Sequence, residues 1–198
     1  MKKSLLGLLP LVMLAACGGP GKKVIVMVKG TVTLSGNNIT VKDGTGYSEL
    51  EIPLKGGERN TLHAKSSNGT IDVDLPAEPG LFLLSLRADT VVGAYQPTGA
   101  ADAGSGKVMS QEELKGKIDS LQQLTAGANV SAAKRNFLVA PNQLVKVTAN
   151  PGARIYGPFR KVPDIIEPST DGKEIEIYKF STNNEVRDMI GKLTKMTH

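Results

Sequence analysis

A single cysteine, Cys17, excludes any disulfide within the chain, so a packed core has to hold the fold without covalent staples. Only two histidines are present, His63 and His198, and a zinc site would be short of its usual nitrogen and sulfur ligands. Neither histidine stands at a motif spacing from a Ser, Cys or carboxylate. No catalytic residue, metal ligand or cofactor is therefore assigned, and a non-enzymatic protein is expected. Tryptophan is absent, and the aromatics are four Tyr and four Phe, a poor supply for the stacked platforms that bind glycans. A strong charge of one sign is also missing. Residues 22–99 carry eight basic and eight acidic side chains, and residues 134–198 carry eleven and seven. A surplus so small and so interspersed lacks the clustered basic stripe of a nucleic-acid surface, and no nucleic-acid partner is expected. Past residue 16, no apolar run approaches the ~20 residues a membrane-spanning helix needs.

What is present begins at the first residue. Lys2 and Lys3 precede an uncharged, largely aliphatic stretch over 5–16. As a helix it would span about 18 Å at ~1.5 Å per residue, well short of a hydrocarbon core about 30 Å thick. Charge followed by a short apolar run is the pattern of a secretory signal.

The end of that run, Leu14-Ala15-Ala16-Cys17, resembles the lipobox of bacterial lipoproteins: an aliphatic residue, two small residues, then cysteine. The resemblance implies cleavage between Ala16 and Cys17, a thioether-linked diacylglycerol on Cys17, a further acyl chain such as palmitate on its amine, and attachment to a membrane of the cell envelope. Two or three chains give stable anchoring where one does not. Lipidation also accounts for a lone cysteine in an exported chain. Gly18, in place of the aspartate that retains many enterobacterial lipoproteins in the inner membrane, implies the outer membrane, with the body in the periplasm. Cleavage would leave 182 residues and lower the net charge from +5 to +3. Residues 18–23 read as a tether reaching at most about 20 Å, with Lys22 and Lys23 either beside anionic head groups or flanking a strand.

From residue 24 the chain reads as successive short strands. Residues 24–28 form a continuous apolar run, 47–54 alternate through Leu50, Ile52 and Leu54, Ile71, Val73 and Leu75 alternate with polar neighbours, and 81–86 are nearly all apolar. Asp43-Gly44-Thr45-Gly46, Gly56-Gly57 and Ser67-Asn68-Gly69 read as turns. About seven strands at ~10-residue spacing predict an antiparallel β-sandwich, immunoglobulin- or fibronectin-like, over 24–96. Residues 97–133 read as a linker with a helix over 110–125, opened by the capping box Ser110-Gln111-Glu112-Glu113. Gly104-Ser105-Gly106-Lys107 within it departs from the phosphate-loop pattern. Residues 134–198 read as a small α+β unit with a turn at Asp171-Gly172, ending in a helix over 182–195. There Val186, Met189, Ile190 and Leu193 make one apolar stripe. The fold class expected is thus mainly β, a sandwich followed by a helix and an α+β unit.

One surface stands out as a candidate for partner binding: Arg154, Tyr156, Phe159, Arg160 and Lys161, basic and aromatic together. The expectation is a lipid-anchored interaction or assembly module whose partner is an envelope protein or polymer. A solute- or polymer-binding lipoprotein, with a pocket lined by Tyr95, Phe137, Tyr156 or Phe159, is the alternative. An envelope enzyme is a third reading, tested by whether His63 lies beside a Ser or a carboxylate.

Overall fold

A computed structural model describes residues 21–66, 69–97, 109–163 and 175–197. The signal region, the cleavage site at Ala16 and Cys17, Ser67-Asn68, Gly104–Lys107 and Asp171-Gly172 lie outside the described residues. The strands are β1 (Lys22–Ser35), β2 (Asn38–Leu54), β3 (Asn60–Ser66), β4 (Gly69–Leu75), β5 (Gly80–Ser85), β6 (Val91–Gln96), β7 (Asn136–Val139), β8 (Gln143–Thr148), β9 (Arg154–Tyr156) and β10 (Ile177–Thr182). The helices are α1 (Gln111–Thr125) and α2 (Asn183–Lys195). The fold is mainly β, with two sheets ordered β4-β3-β2-β1-β5-β8 and β7-β6-β10-β9.

An immunoglobulin-like sandwich is antiparallel, and these sheets are mixed. β1 pairs in parallel with β5, β2 with β3, and β9 with β10. The segments that the sequence sets apart at 97–133 also share both sheets: β8 joins β5 in the first, and β6 lies between β7 and β10 in the second. Strands consecutive in sequence usually pair, as β1 to β4 do here; β6 and β8 instead join the sheet in which both of their faces are buried.

Burial explains the continuous apolar runs. Val24, Val26 and Val28 of β1 pack with Ile39, Ile52, Leu62, Leu75, Phe82 and Leu84. All of these come from the larger sheet, so that sheet curls over on itself, almost as a barrel, to enclose them. Ile25 and Met27 point the other way, with Leu81 and Leu83, onto Phe137, Tyr178 and Phe180 of the smaller sheet. With a period of two, strands buried on both faces have no polar side to show. Each aliphatic side chain so buried is worth about 1.5–3 kcal/mol. The far face of the smaller sheet is covered by both helices, through Val92, Leu124 and Val186. Both helices open as their capping boxes predict: the Ser110 and Thr182 hydroxyls accept the Glu113 and Glu185 N–H groups, and the glutamates bond back.

The expected turn at Asp43-Gly44-Thr45-Gly46 is a bulge inside β2. Opposite it the register jumps, Lys29 facing Tyr47 and Gly30 facing Asp43. Gly30 sits at φ +120°, where a Cβ would run into the Lys42 carbonyl and the Asp43–Gly44 backbone. The glycines mark the place where one long ribbon bends rather than reverses.

The strand also begins earlier than expected. Lys22 is the first residue of β1 and is only 2 % exposed. Its ammonium donates to the carbonyls of Glu58 at 2.7 Å and Pro76 at 2.5 Å. The Lys22 ammonium is thereby held inside the body, and Lys23 pairs with Glu51 at 2.9 Å.

Candidate functional site

Three clefts gather around the residues between β9 and β10. Gly157 follows β9, and its N–H donates to Glu49 Oε1 at 3.1 Å. Its carbonyl accepts from Lys179 Nζ at 2.7 Å. The Phe159 N–H donates to Glu185 Oε1 at 2.8 Å, and Arg160 Nη1 donates to Glu49 Oε2 at 2.5 Å. Tyr47 donates its hydroxyl to Glu49 Oε1. Residues 157–160 are therefore held from β2, β10 and α2 at once.

Amid these tethers Phe159 is 69 % exposed. Its backbone stands at φ +62°, a left-handed conformation that is uncommon for any residue but glycine and unusual for a bulky one. Such a conformation persists only where surrounding contacts enforce it, and here the hydrogen bonds on both sides do so. Gly157 allows the close approach, since a Cβ there would strike the Tyr47 hydroxyl and the Glu49 carboxylate.

Two ionisable groups beneath the turn, Tyr47 and Lys179, are desolvated. Burial pushes the Tyr47 phenol far above its ordinary range, and the hydrogen bond to Glu49 and the Glu49 charge add to the shift. Burial pulls the Lys179 ammonium below the usual lysine value, against the opposing charges of Glu185 and Glu49. Arg87, 4 % exposed, lies with its guanidinium carbon 5.8 Å from the Tyr47 ring centre. It makes a two-pronged pair with Asp89 at 2.7 and 2.8 Å.

The largest cleft, ≈ 800 Å³, runs from Lys29 and the β2 bulge past Arg87 to Phe159 and the start of α2. Its ionisable wall has Asp43, Asp89, Glu185 and Asp188 against Lys29 and Arg87, an excess of negative charge. Phe159 and Arg160 also line a second hollow with Tyr47, Ser48 and Glu49. Arg154, Tyr156 and Arg160 line a third with Lys23 and Glu51.

Of the five residues singled out from the sequence, four thus border adjoining hollows, and Lys161 is exposed beside them. The expected basic character is much reduced: Arg160 is neutralised by Glu49, and the main cleft is acidic. Of the aromatics expected in a pocket, Phe137 is core, packed at 5.9 Å on Tyr178. Tyr95 packs edge-on against Tyr178 at 5.7 Å and lies under Arg135. Tyr47, Glu49, Arg87, Lys179 and Glu185 gave no sign in the sequence, because each sits in an ordinary strand, loop or capping position.

His63 does have a carboxylate beside it. Its Nδ1 lies 2.7 Å from Asp72 Oδ1, its cross-strand partner on β4. Both side chains are exposed, and neither lines any of the three clefts. Among the described residues, no group of three or more His, Cys, Asp or Glu side chains could hold a metal ion, and no helix is long and apolar enough to cross a membrane. Comparison of the chain with protein-family models, curated protein sequences and solved structures finds no match.

Proposed function

We propose that this chain is a membrane-anchored lipoprotein of the bacterial cell envelope, held through lipid on Cys17 at the outer membrane, whose folded body is a non-enzymatic interaction module gripping another envelope protein. The anchor rests on the Leu14–Cys17 motif. The observation that carries the interaction reading is Phe159: a large apolar ring left in water, on a backbone held in an unfavourable conformation by bonds to two separate elements. Interfaces concentrate their energy in a few anchors, aromatic rings prominent among them, and a ring carried on a backbone already fixed in place loses less conformational entropy on binding than one on a mobile loop. Nothing in the core requires this ring to be apolar.

The test replaces Phe159 with a photoreactive phenylalanine analogue in the native envelope, with Lys115 on the outer face of α1 as the control position. A protein cross-linked from 159 and not from 115, whose affinity for the purified body falls at least about tenfold (~1.4 kcal/mol) on Phe159→Ala, is the expected result. Identical products from both positions would refute the reading.

The cleft itself favours a second reading, capture of a solute or polymer segment. Its volume, ≈ 800 Å³, falls in the range of small-ligand sites, roughly 300–1,000 Å³. A solute-binding protein would be stabilised against heat by one member of a metabolite panel and lose that stabilisation on Arg87→Ala; a protein gripper would not.

A further inference from the structure

We infer that the anchored molecule holds the Phe159 cleft on the side of its body turned away from the bilayer, so that the cleft takes a protein reaching it from the aqueous side of the envelope and not lipid. This rests on the anchoring through Cys17 proposed above. β1 and β5 run parallel, in register from Lys22 and Gly80 to Met27 and Ser85; β1 starts within the tether, and β5 starts beside it, the Gly80 N–H donating to the Gly21 carbonyl. Lys22 is locked into the body by Glu58 and Pro76. Five residue steps separate Cys17 from Lys22. Fully extended they reach only about 17 Å, so the Lys22 end stays close to the head groups.

The cleft lies where β5 ends and where β1 reaches its bend at Lys29 and Gly30. From Lys22 to Lys29 is seven steps along β1, about 23 Å of strand. Lys29 lines the cleft, as do Leu86, Arg87 and Asp89 just past the end of β5. Charge acts in the same sense. The loops over Lys22, residues 55–60 and 76–79, balance Lys55 and Arg59 against Glu58 and Glu78. The cleft wall carries four carboxylates against two cations. An anionic head-group layer therefore repels the cleft end and not the anchored end.

Two positions on the single strand β2 test the orientation. Pro53, opposite Lys23, and Thr45, in the cleft wall, are both exposed and uncharged. Cys17 is the only cysteine in the chain. In the acylated protein, Pro53→Cys or Thr45→Cys therefore supplies the only free thiol for a fluorophore. The lipidated full-length protein is reconstituted in vesicles of phosphatidylethanolamine and phosphatidylglycerol that carry a nitroxide on the lipid head group, and is floated on a gradient. The expected result is flotation, loss of fluorescence at 53, and the fluorescence of nitroxide-free vesicles retained at 45. Flotation with quenching at 45 equal to or above that at 53, or at neither position, overturns the orientation while leaving the anchor intact. Failure to float overturns the anchor, and this inference with it.

Discussion

Glu49 and Gly157 stand 108 positions apart in sequence, and the carboxylate of the first holds the N–H of the second at 3.1 Å. The same carboxylate takes the Tyr47 hydroxyl and the Arg160 guanidinium. One half-buried side chain on β2 thus fixes the turn that presents Phe159. Glu49→Ala would leave three donors without their acceptor; Arg160 is exposed and can turn to water, so the expected loss is about 2 kcal/mol, from the Gly157 N–H and the Tyr47 hydroxyl left unpaired. Urea unfolding measures it, and hydrogen exchange should show faster exchange at Gly157 and Phe159. A change under about 0.5 kcal/mol, the usual scatter of surface substitutions, would mean that the turn is held by something else.

Phe159 gives a prediction of opposite sign. The ring contributes little to the core, and its left-handed backbone costs roughly 1–3 kcal/mol. Phe159→Gly relieves that strain, partly offset by the freedom glycine adds to the unfolded chain. We expect stability to rise by about 1 kcal/mol while cross-linking to the partner is lost. A drop in stability would show the ring to be structural.

Tyr47 makes the fold sensitive to alkali. Its phenol ionises above the ordinary value of 10.0 in the folded protein, through burial first and Glu49 second. Above pH 10 the unfolded chain loses this proton while the folded chain keeps it. The contribution is therefore complete below that pH and is lost as pH climbs. Tyr178 shifts in the same direction, again mainly through burial. Thermal melts across the alkaline range should fall more steeply for the native protein than for Tyr47→Phe. Equal slopes would contradict the desolvated phenol.

Lys22 carries the opposite dependence. Burial lowers its affinity for the proton below the usual 10.5, against the nearby Glu58 charge. Just beneath that value the unfolded chain holds the proton more tightly, so this contribution to stability rises with pH. Lys22→Met should make that rise smaller, leaving the part that Lys179 contributes in the same direction. It should also destabilise by about 1–2 kcal/mol, because the Glu58 and Pro76 carbonyls lose their donor. Exchange protection should weaken in the loops at 55–60 and 76–79. An unchanged melting temperature with unchanged protection would show the ammonium to be dispensable.

Helices α1 and α2 were legible to within a residue because their determinants are local. A hydroxyl and a glutamate three positions on satisfy the first N–H groups, and the apolar spacing does the rest. The β-strands were legible as strands and not as partners. Residues 24–28 announce burial without saying that Val24 and Ile25 enter different cores. Asp43-Gly44-Thr45-Gly46 reads as a reversal, since glycine serves turns and bulges alike; the difference lies in Gly30, which faces it across the ribbon. Of the site, the stretch around Arg154 and Phe159 was visible by composition. Glu49 was not, because a carboxylate alternating with Leu50 looks like any solvent-facing strand residue.

The sequence by itself determined where the chain would be helical, most of where it would be extended, where each helix would be capped, and that residues 14–17 resemble a lipobox, because spacing and backbone preference act over a few residues. Only the tertiary structure decided which strands lie side by side, that β8 and β6 cross between the expected units, and that Glu49, Gly157, Lys179 and Glu185 converge on one turn. Those outcomes depend on contacts between residues tens of positions apart, whose free energy exists only once the intervening chain has folded around them.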